Sequence, residues 1–336
     1  MLREFRERVR NLFQEHYREI RIPKRSGKLR KIHIPSDELK MAQKARLEWL
    51  YATGIGPGPN VYGVRKKGLR DHVNAHVGRR YLVQMDLKDF YHQVSPEHIT
   101  RCLTVYEGLA ENVVNDFFWI PGTSYRLEDI PVYRSLYMLS FIPGDAVGRG
   151  GDTFSLPQGS PLSPALSNLA FKPAHLAIRY HLRTYGPSDV RYTRYSDNLA
   201  FSSNTENVSA HIKVIRKILR NHNFQENPKK TSVSRRSRRQ SVCGVVTNVK
   251  SNFPLGKRRE FRSRVDQMFK SATRGRVRSN GNLNPMAEED WLDLVSEFKH
   301  VKGVLCYAMY VSPDYYKSQK QKLEVVEAIL KSHGRI

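Results

Sequence analysis

The chain is 336 residues long, room for about two domains at roughly 150 residues each. Hydrophobic residues make up 39% and aromatics 10%, so a sizeable core can form and general disorder is excluded. Lys and Arg number 57 against 32 Asp and Glu, a net charge of +25 that repels itself and calls for a large anionic partner, by default nucleic acid phosphate.

Leu2, Phe5, Val9, Leu12 and Phe13 share one helical face, which predicts an amphipathic helix rather than a leader peptide at the start. Ile20–Pro35 alternates about Ser26-Gly27 and predicts a cation-studded hairpin, followed by a helix over Asp37–Tyr51. Gly54–Asn60 is a Gly- and Pro-rich loop. Tyr81–Met85 predicts a buried strand ending at Asp86, and Ser95-Pro96 caps a helix after it. A second cap pair, Ser163-Pro164, opens another helix. Arg191–Tyr195 and Leu199–Ser202 predict two strands around a tight hairpin at Ser196-Asp197-Asn198. Val208, Ile212, Ile215 and Leu219 mark a helix face, and Phe224–Val233 is expected to return as a strand. That order fits an α+β, ferredoxin-like sheet with helices on one face.

Beyond Lys250 the texture changes to a basic cluster, a polar linker over Ser271–Asn284, and helices over Trp291–Tyr310 and from Ser312-Pro313 to about Lys331. No apolar run approaches the ~18–20 residues of a membrane helix, so no membrane partner is expected; Gly303–Val311 is among the longest. Cys102, Cys243 and Cys306 are odd in number and widely spaced, against a disulfide framework or Cys-based zinc site. They point to a reducing, cytoplasmic compartment. His72 and His76 lack a third ligand in the pattern.

Two acidic turns in one sheet carry the chemical signal. Asp86 ends a strand and Asp197 tips a hairpin that can lie beside it. Taken singly, such aspartates are ordinary turn residues or caps. Together in a basic chain they form a carboxylate pair suited to Mg²⁺, which favours hard oxygen ligands shared with substrate phosphates. Two such ions about 4 Å apart activate an attacking hydroxyl and stabilise a leaving pyrophosphate, which predicts phosphoryl transfer.

Asp86-Leu87-Lys88-Asp89-Phe90-Tyr91, the run LPQGSPLSP from Leu156 to Pro164, and Tyr195-Ser196-Asp197-Asn198 resemble, in order, the palm motifs of reverse transcriptases. The middle run is the most specific of the three. The chain looks most like the bacterial retron type, from its length, the hairpin running into Pro35–Lys40, and the Tyr192-Thr193-Arg194 lead-in to Tyr195. The resemblance implies a right-hand polymerase: fingers over 1–80, a ferredoxin-like palm over 81–250 with a fingers-side insertion near 105–153, and a mostly helical thumb over 251–336.

It also implies roles. Asp86 and Asp197 would hold two Mg²⁺ with the Leu87 carbonyl, and Asn198 completes the catalytic turn. Arg30, with Lys24 or Arg25 across the hairpin, would grip the triphosphate as fingers cations do. Asp89 would lie near the nucleotide 3′-OH and Tyr91 under its sugar, excluding ribose. Gln158 and Gly159 would touch the nucleotide, the missing side chain allowing close backbone approach, and Lys230 would face the leaving pyrophosphate. Val242-Cys243-Gly244 falls at the primer-grip position, and Lys257, Arg258, Arg259 and Arg262 of the thumb would track the RNA/DNA backbone. The bland alternatives are a solvated charged hairpin, a core aromatic at Tyr91 and a plain turn at Gln158-Gly159.

Three positions depart from the pattern. Asn198 stands where the third motif usually carries a second aspartate. Asn74-Ala75 adjoins His76 directly, and Val242-Cys243-Gly244 replaces the usual Val-Thr-Gly. For Asn198 three readings stay open: a working variant, an impaired site, or an engineered trap. The expected activity is RNA-directed DNA synthesis on a structured noncoding RNA using dNTPs and Mg²⁺. In a retron it yields branched RNA–DNA (msDNA) for antiphage defence with a separate effector protein, and no fused nuclease is expected. The competing readings are a polymerase-derived RNA-binding scaffold, motivated by Asn198, and a group II intron-like enzyme.

Overall fold

A computed structural model of the chain describes residues 16–24, 27, 29–109, 140–143, 154–274, 288–312 and 316–336. The expected N-terminal helix, most of the 105–153 insertion, the hairpin tip at Arg25-Ser26 and the linker from 275 onward lie outside them. The chain divides into two compact units, residues 1–68 with 81–233, and 69–80 with 234–336.

In the first unit, β1 (Tyr17–Pro23) and β2 (Leu29–Pro35) form the expected hairpin, Tyr17 opposite Pro35. α1 (Asp37–Ala52) follows, its N-terminus capped by the Ser36 hydroxyl, which accepts from the Leu39 amide. After β3 (Val61–Tyr62) the chain visits the second unit with α2 (Leu69–Asn74), then returns as β4 (Tyr81–Asp86). α3 (Phe90–Gln93) is a single turn, and α4 (Pro96–Arg101) starts at the cap expected at Ser95, where His98 adds a reciprocal partner that completes a capping box. β5 (Ile142–Pro143) and β6 (Phe154–Ser155) pair with each other ahead of α5 (Ser163–Ala170). Leu162, not Ser163, occupies the cap of α5, so the Ser-Pro signal lies one residue inside the helix it announces. α6 (Lys172–Tyr185) follows at once and has no counterpart in the sequence reading. β7 (Arg191–Tyr195), β8 (Asn198–Ser203) and α7 (Ile212–Asn221, preceded by a 3-10 turn at Val208–His211) fall where the pattern put them.

The expected strand over Phe224–Val233 does not form. Pro228 lacks an amide proton, and the Asn227 side chain accepts from the Lys229 amide, which together fold Pro228–Lys230 into a 3-10 turn. Strand β9 starts only at Ser232 and ends at Arg235. The five-stranded sheet runs β3-β7-β8-β4-β9, with β4 and β7 antiparallel to β8 and β3 parallel to β7. Without β3 this is the 2-3-1-4 order of a ferredoxin-like sheet. Ile178 and Leu182 of α6 and Ile215 and Leu219 of α7 pack into one core with Val83, Met85, Leu199 and Phe201 of the strands. The apolar residues are spaced by helical turns on one side and alternate on the other.

One packed histidine ties the Gly-Pro loop to this core. His175 Nε2 donates to the Pro59 carbonyl (2.7 Å), so Nδ1 must accept from the Tyr192 hydroxyl (3.0 Å). Burial, with Arg194 and Arg179 nearby, lowers its pKa to about 3 against a partly opposing Pro59 hydrogen bond. A folded pKa below the unfolded one means stability intact above about pH 6.5 and lost as pH falls from there toward 3. His175→Gln is expected to flatten that acid-side loss by up to about 1.4 kcal/mol per pH unit. Urea melts from pH 7 to 4 check this; parallel curves for the two proteins would contradict it.

The second unit holds β10 (Ser241–Val242) and β11 (Val245–Val246), joined by Cys243 and Gly244. Both linking residues have positive φ (+49° and +79°), the tight two-residue turn for which glycine is suited and cysteine is not. Three helices follow: α8 (Leu255–Arg274), α9 (Glu288–Val311) and α10 (Lys317–Ser332). They close a separate core around Val265, Phe298, Val301, Tyr316 and Val326. No helix among the described residues is long and apolar enough to cross a membrane.

Candidate active site

The site is assembled by register. Asp86, last residue of β4, sits opposite Asn198, first residue of β8, and Tyr195 closes the β7–β8 loop across from Asn198. Only Ser196 and Asp197 are left to make the turn, and Ser196 takes φ +53°, a conformation that costs a residue with a Cβ of order 1–3 kcal/mol. The Leu87 amide donates to the Asp197 carbonyl (2.9 Å), locking the end of β4 to the turn. Burial first, then the Asp86 charge, pushes the Asp197 carboxyl above the usual carboxylate range; Lys230 and Arg30 only partly offset them. Two carboxylates are therefore held close in a poorly solvated corner.

Lys230 reaches Asp86 directly, Nζ to Oδ2 at 2.7 Å, while the Asn227 amide donates to the Asp86 carbonyl (2.7 Å). The 3-10 turn that displaced the expected strand is thus what aims the lysine. Asn198 Nδ2 donates to Asp197 Oδ1 (2.9 Å), a bond that an aspartate at 198 has no proton to make. Among the described residues no hydrogen bond ends on the Leu87 carbonyl. Nor do three His, Cys, Asp or Glu side chains converge anywhere among them. The available cation donors are therefore two carboxylates with backbone and amide oxygens, hard ligands that fit a divalent ion completed by substrate phosphate and water.

Tyr91 is half-buried against the core, and burial pushes its phenol above the ordinary tyrosine pKa. Asp89 is exposed, with φ +42°, and its carbonyl accepts from the His92 amide (2.8 Å). The hairpin meets the LPQGSPLSP loop through its backbone: the His33 amide donates to the Gln158 carbonyl (2.7 Å). Gly159 has φ +130°, and a Cβ there would lie 2.4 Å from the His33 carbonyl oxygen. The glycine expected to admit a nucleotide is required by the hairpin itself.

Sequence reasoning missed Arg194. Its side chain is 0% exposed, the largest fully buried one among the described residues. It donates to the Ser196 carbonyl (3.0 Å) and Asn168 Oδ1 (2.7 Å) and lies over the Phe171 ring. An arginine in a basic chain looks like one more surface cation; its place two residues before a strained turn was the one available signal. In the second unit, Lys257, Arg259 and Arg262 of α8 are exposed and Arg258 is half-buried.

A family model for reverse transcriptase (RNA-dependent DNA polymerase) matches residues 22–253, well over half of the chain, and takes in Arg30, Asp86, Asp89, Tyr91, Gln158, Gly159, Asp197, Asn198 and Lys230 but not the α8 cations. The chain belongs to the reverse transcriptase family. Its α+β fold is that family's right hand, with a ferredoxin-like sheet and a helical C-terminal region. It is of the bacterial retron type. It is 28% identical over 311 residues to the retron Mx65 reverse transcriptase of Myxococcus xanthus, covering 92% of this chain and 63% of that one. It is 28% identical over 249 residues to the retron Mx162 enzyme of the same organism (69% and 47%). To the retron Ec83 reverse transcriptase of Escherichia coli it is 25% identical over 312 residues (91% and 86%). The reverse transcriptase chain thus spans 63% and 47% of the two Myxococcus relatives.

Proposed function

We propose that this reverse transcriptase is an RNA-directed DNA polymerase that extends a primer 3′-hydroxyl on a structured noncoding RNA, using dNTPs and two Mg²⁺ ions. In the retron setting it makes msDNA in the bacterial cytoplasm for antiphage defence, with a separate effector protein. The reading is carried by the coupled carboxylates of Asp86 and Asp197, flanked by Arg30 and Lys230. Bound Mg²⁺ would supply Lewis acidity at the phosphorus and lower the pKa of the 3′-hydroxyl.

The protein's own groups do the positioning. Asp86, Asp197 and the Leu87 carbonyl present the oxygen ligands, and Lys230 stands beside Asp86 where negative charge leaves with pyrophosphate. Arg30, Asp89, Tyr91, Gln158 and Gly159 form the nucleotide-binding set, Arg30 offering a forked donor to the triphosphate. As the 3′-oxygen bonds to the α-phosphorus, the P–O bond to pyrophosphate breaks. We assign fingers to 1–80, palm to 81–250 and thumb to 251–336, with Lys257, Arg258, Arg259 and Arg262 along the primer–template backbone.

Arg194 acts through the turn. Both bonds leave from one guanidinium nitrogen, Nη1, and Arg194→Lys keeps the charge on a side chain one bond shorter, which falls short of Ser196 and Asn168. It is expected to lower kcat for primer extension about 10–100-fold with KM for dNTP within about threefold, the mark of lost positioning rather than lost binding. Steady-state kinetics decide it; a KM effect alone would contradict it.

Asn198 favours a second reading, a polymerase-derived RNA-binding scaffold. Purified protein with primed RNA template, dNTPs and Mg²⁺ or Mn²⁺ separates the two. Extension by the unsubstituted chain that Asp197→Ala abolishes supports the enzyme. Weak extension rising at least about tenfold in Asn198→Asp marks a site limited by its missing carboxylate. Silence from both, with tight RNA binding kept, favours the scaffold.

A further inference from the structure

The outer face of α6 and α7 has a composition that solvation does not explain. The two helices lie side by side on the sheet, tied by His181 Nε2 to His211 Nδ1 at 3.1 Å, with Ile178, Leu182, Ile215 and Leu219 turned to the core. Neither helix contains an Asp or Glu. Of their cations, Lys172 pairs with Glu107 and Arg216 with Glu226. Arg179, Arg183, Lys213, Lys217 and Arg220 form no ion pair among the described residues. Arg179–Arg183, Lys213–Lys217 and Arg216–Arg220 place like charges four apart, a mildly unfavourable arrangement. The same chain shows the alternative: α10 carries both signs, with Lys320–Glu324 and Lys331–Glu327 as i,i+4 pairs.

Aromatic rings stand among these charges. Tyr180 is 69% exposed and Tyr185 67%, the latter resting against His181 with ring centroids 5.4 Å apart and planes tilted by 36°. A cationic helix face bearing exposed tyrosines matches the chemistry of an unpaired nucleic-acid strand, phosphates on the cations and bases on the rings. An acidic protein would satisfy the charges but leave the rings unused.

We propose that the α6–α7 face holds an unpaired segment of the RNA outside the polymerase cleft. RNA is the strand present before any DNA is made; this step rests on the reading that the template is RNA. Arg179 and Arg183 contact phosphates, and Tyr180 and Tyr185 stack bases.

The test uses the full chain, without primer, dNTPs or metal, and a fluorescent oligouridine carrying one 4-thiouridine. A length of about 20 nucleotides exceeds the ~4–16 that such surfaces cover. Ultraviolet cross-linking followed by peptide mapping should mark residues 176–185. Tyr180→Ala with Tyr185→Ala should remove that cross-link and weaken binding at least about tenfold. Arg179→Ala with Arg183→Ala should reduce the slope of log affinity against log salt by roughly 1.4, two phosphates at ~0.7 each. Tyr180, Arg183 and Tyr185 are exposed and Arg179 is half-buried, so thermal melts are expected to shift little. Cross-links confined to other segments, or a slope that does not move, overturn the proposal. So does displacement of the oligouridine by polyglutamate of equal charge, which assigns the face to an acidic protein, or stronger cross-linking to oligothymidine. Primer extension is measured separately: extension without this cross-link sinks only this inference, and the cross-link without extension sinks only the polymerase reading.

Discussion

Asp197→Asn is expected to lower primer extension by at least about 10³-fold, about 4 kcal/mol of transition-state stabilisation. The substitution keeps the shape of the side chain and removes one of the two carboxylates that face each other at the turn. The survivor, Asp86, already has the Lys230 ammonium at 2.7 Å. A lone carboxylate shared with a lysine cannot anchor two divalent ions. The same change should raise stability at neutral pH. Burial and Asp86 push the Asp197 pKa up, so the folded state disfavours its charge. That penalty is absent below the unfolded carboxylate value of 3.8 and fully present above the raised folded one. The gain in melting temperature should therefore be seen at pH 7 and vanish toward pH 3. Single-turnover extension and thermal melts measure both halves. Activity within tenfold of the parent would remove Asp197 from the chemistry, and lost activity with a lowered melting point would make it structural.

Gly159→Ala has the second-largest expected effect. Its Cβ would lie 2.4 Å from the His33 carbonyl oxygen and 3.1 Å from the carbonyl carbon, both rigid backbone atoms, at a φ of +130° that other residues rarely adopt. Either the loop or the hairpin must move, and the His33–Gln158 hydrogen bond then breaks. A loss of about 2–4 kcal/mol is expected. KM for dNTP should rise about tenfold as Arg30 loses its support, equal to about 1.4 kcal/mol of binding. Urea unfolding with steady-state kinetics tests it; unchanged stability and KM would show that the loop relaxes freely.

The strands that carry the acids were legible because alternation and caps are local signals. Tyr81–Asp86 and Arg191–Tyr195 announce themselves, and Ser95-Pro96 marks the start of its helix. The pairing of Asp86 with Asn198 is a register, which no single segment encodes. Phe224–Val233 misled because its apolar ends suggest a strand while Asn227-Pro228 between them builds a turn. α6 was hidden by three histidine and arginine positions on its polar side and by Pro173, which opens the helix and in isolation looks like a breaker. Arg194 and Gly159 share a reason: their meaning lies in what surrounds them, a buried carbonyl for one and another strand's backbone for the other.

The hydrogen bond between His33 and Gln158 makes the hairpin a gauge. Arg30 precedes the anchored residue by three positions on β2, a fixed reach of about 10 Å at 3.3–3.4 Å per residue. Strand geometry also fixes which side of the ribbon the guanidinium leaves from. One residue inserted between Arg30 and His33 would swing the cation to the opposite side, while two would restore its side and lengthen its stride. Spacing along this short ribbon thus governs where positive charge stands above the acids, independently of any loop that follows.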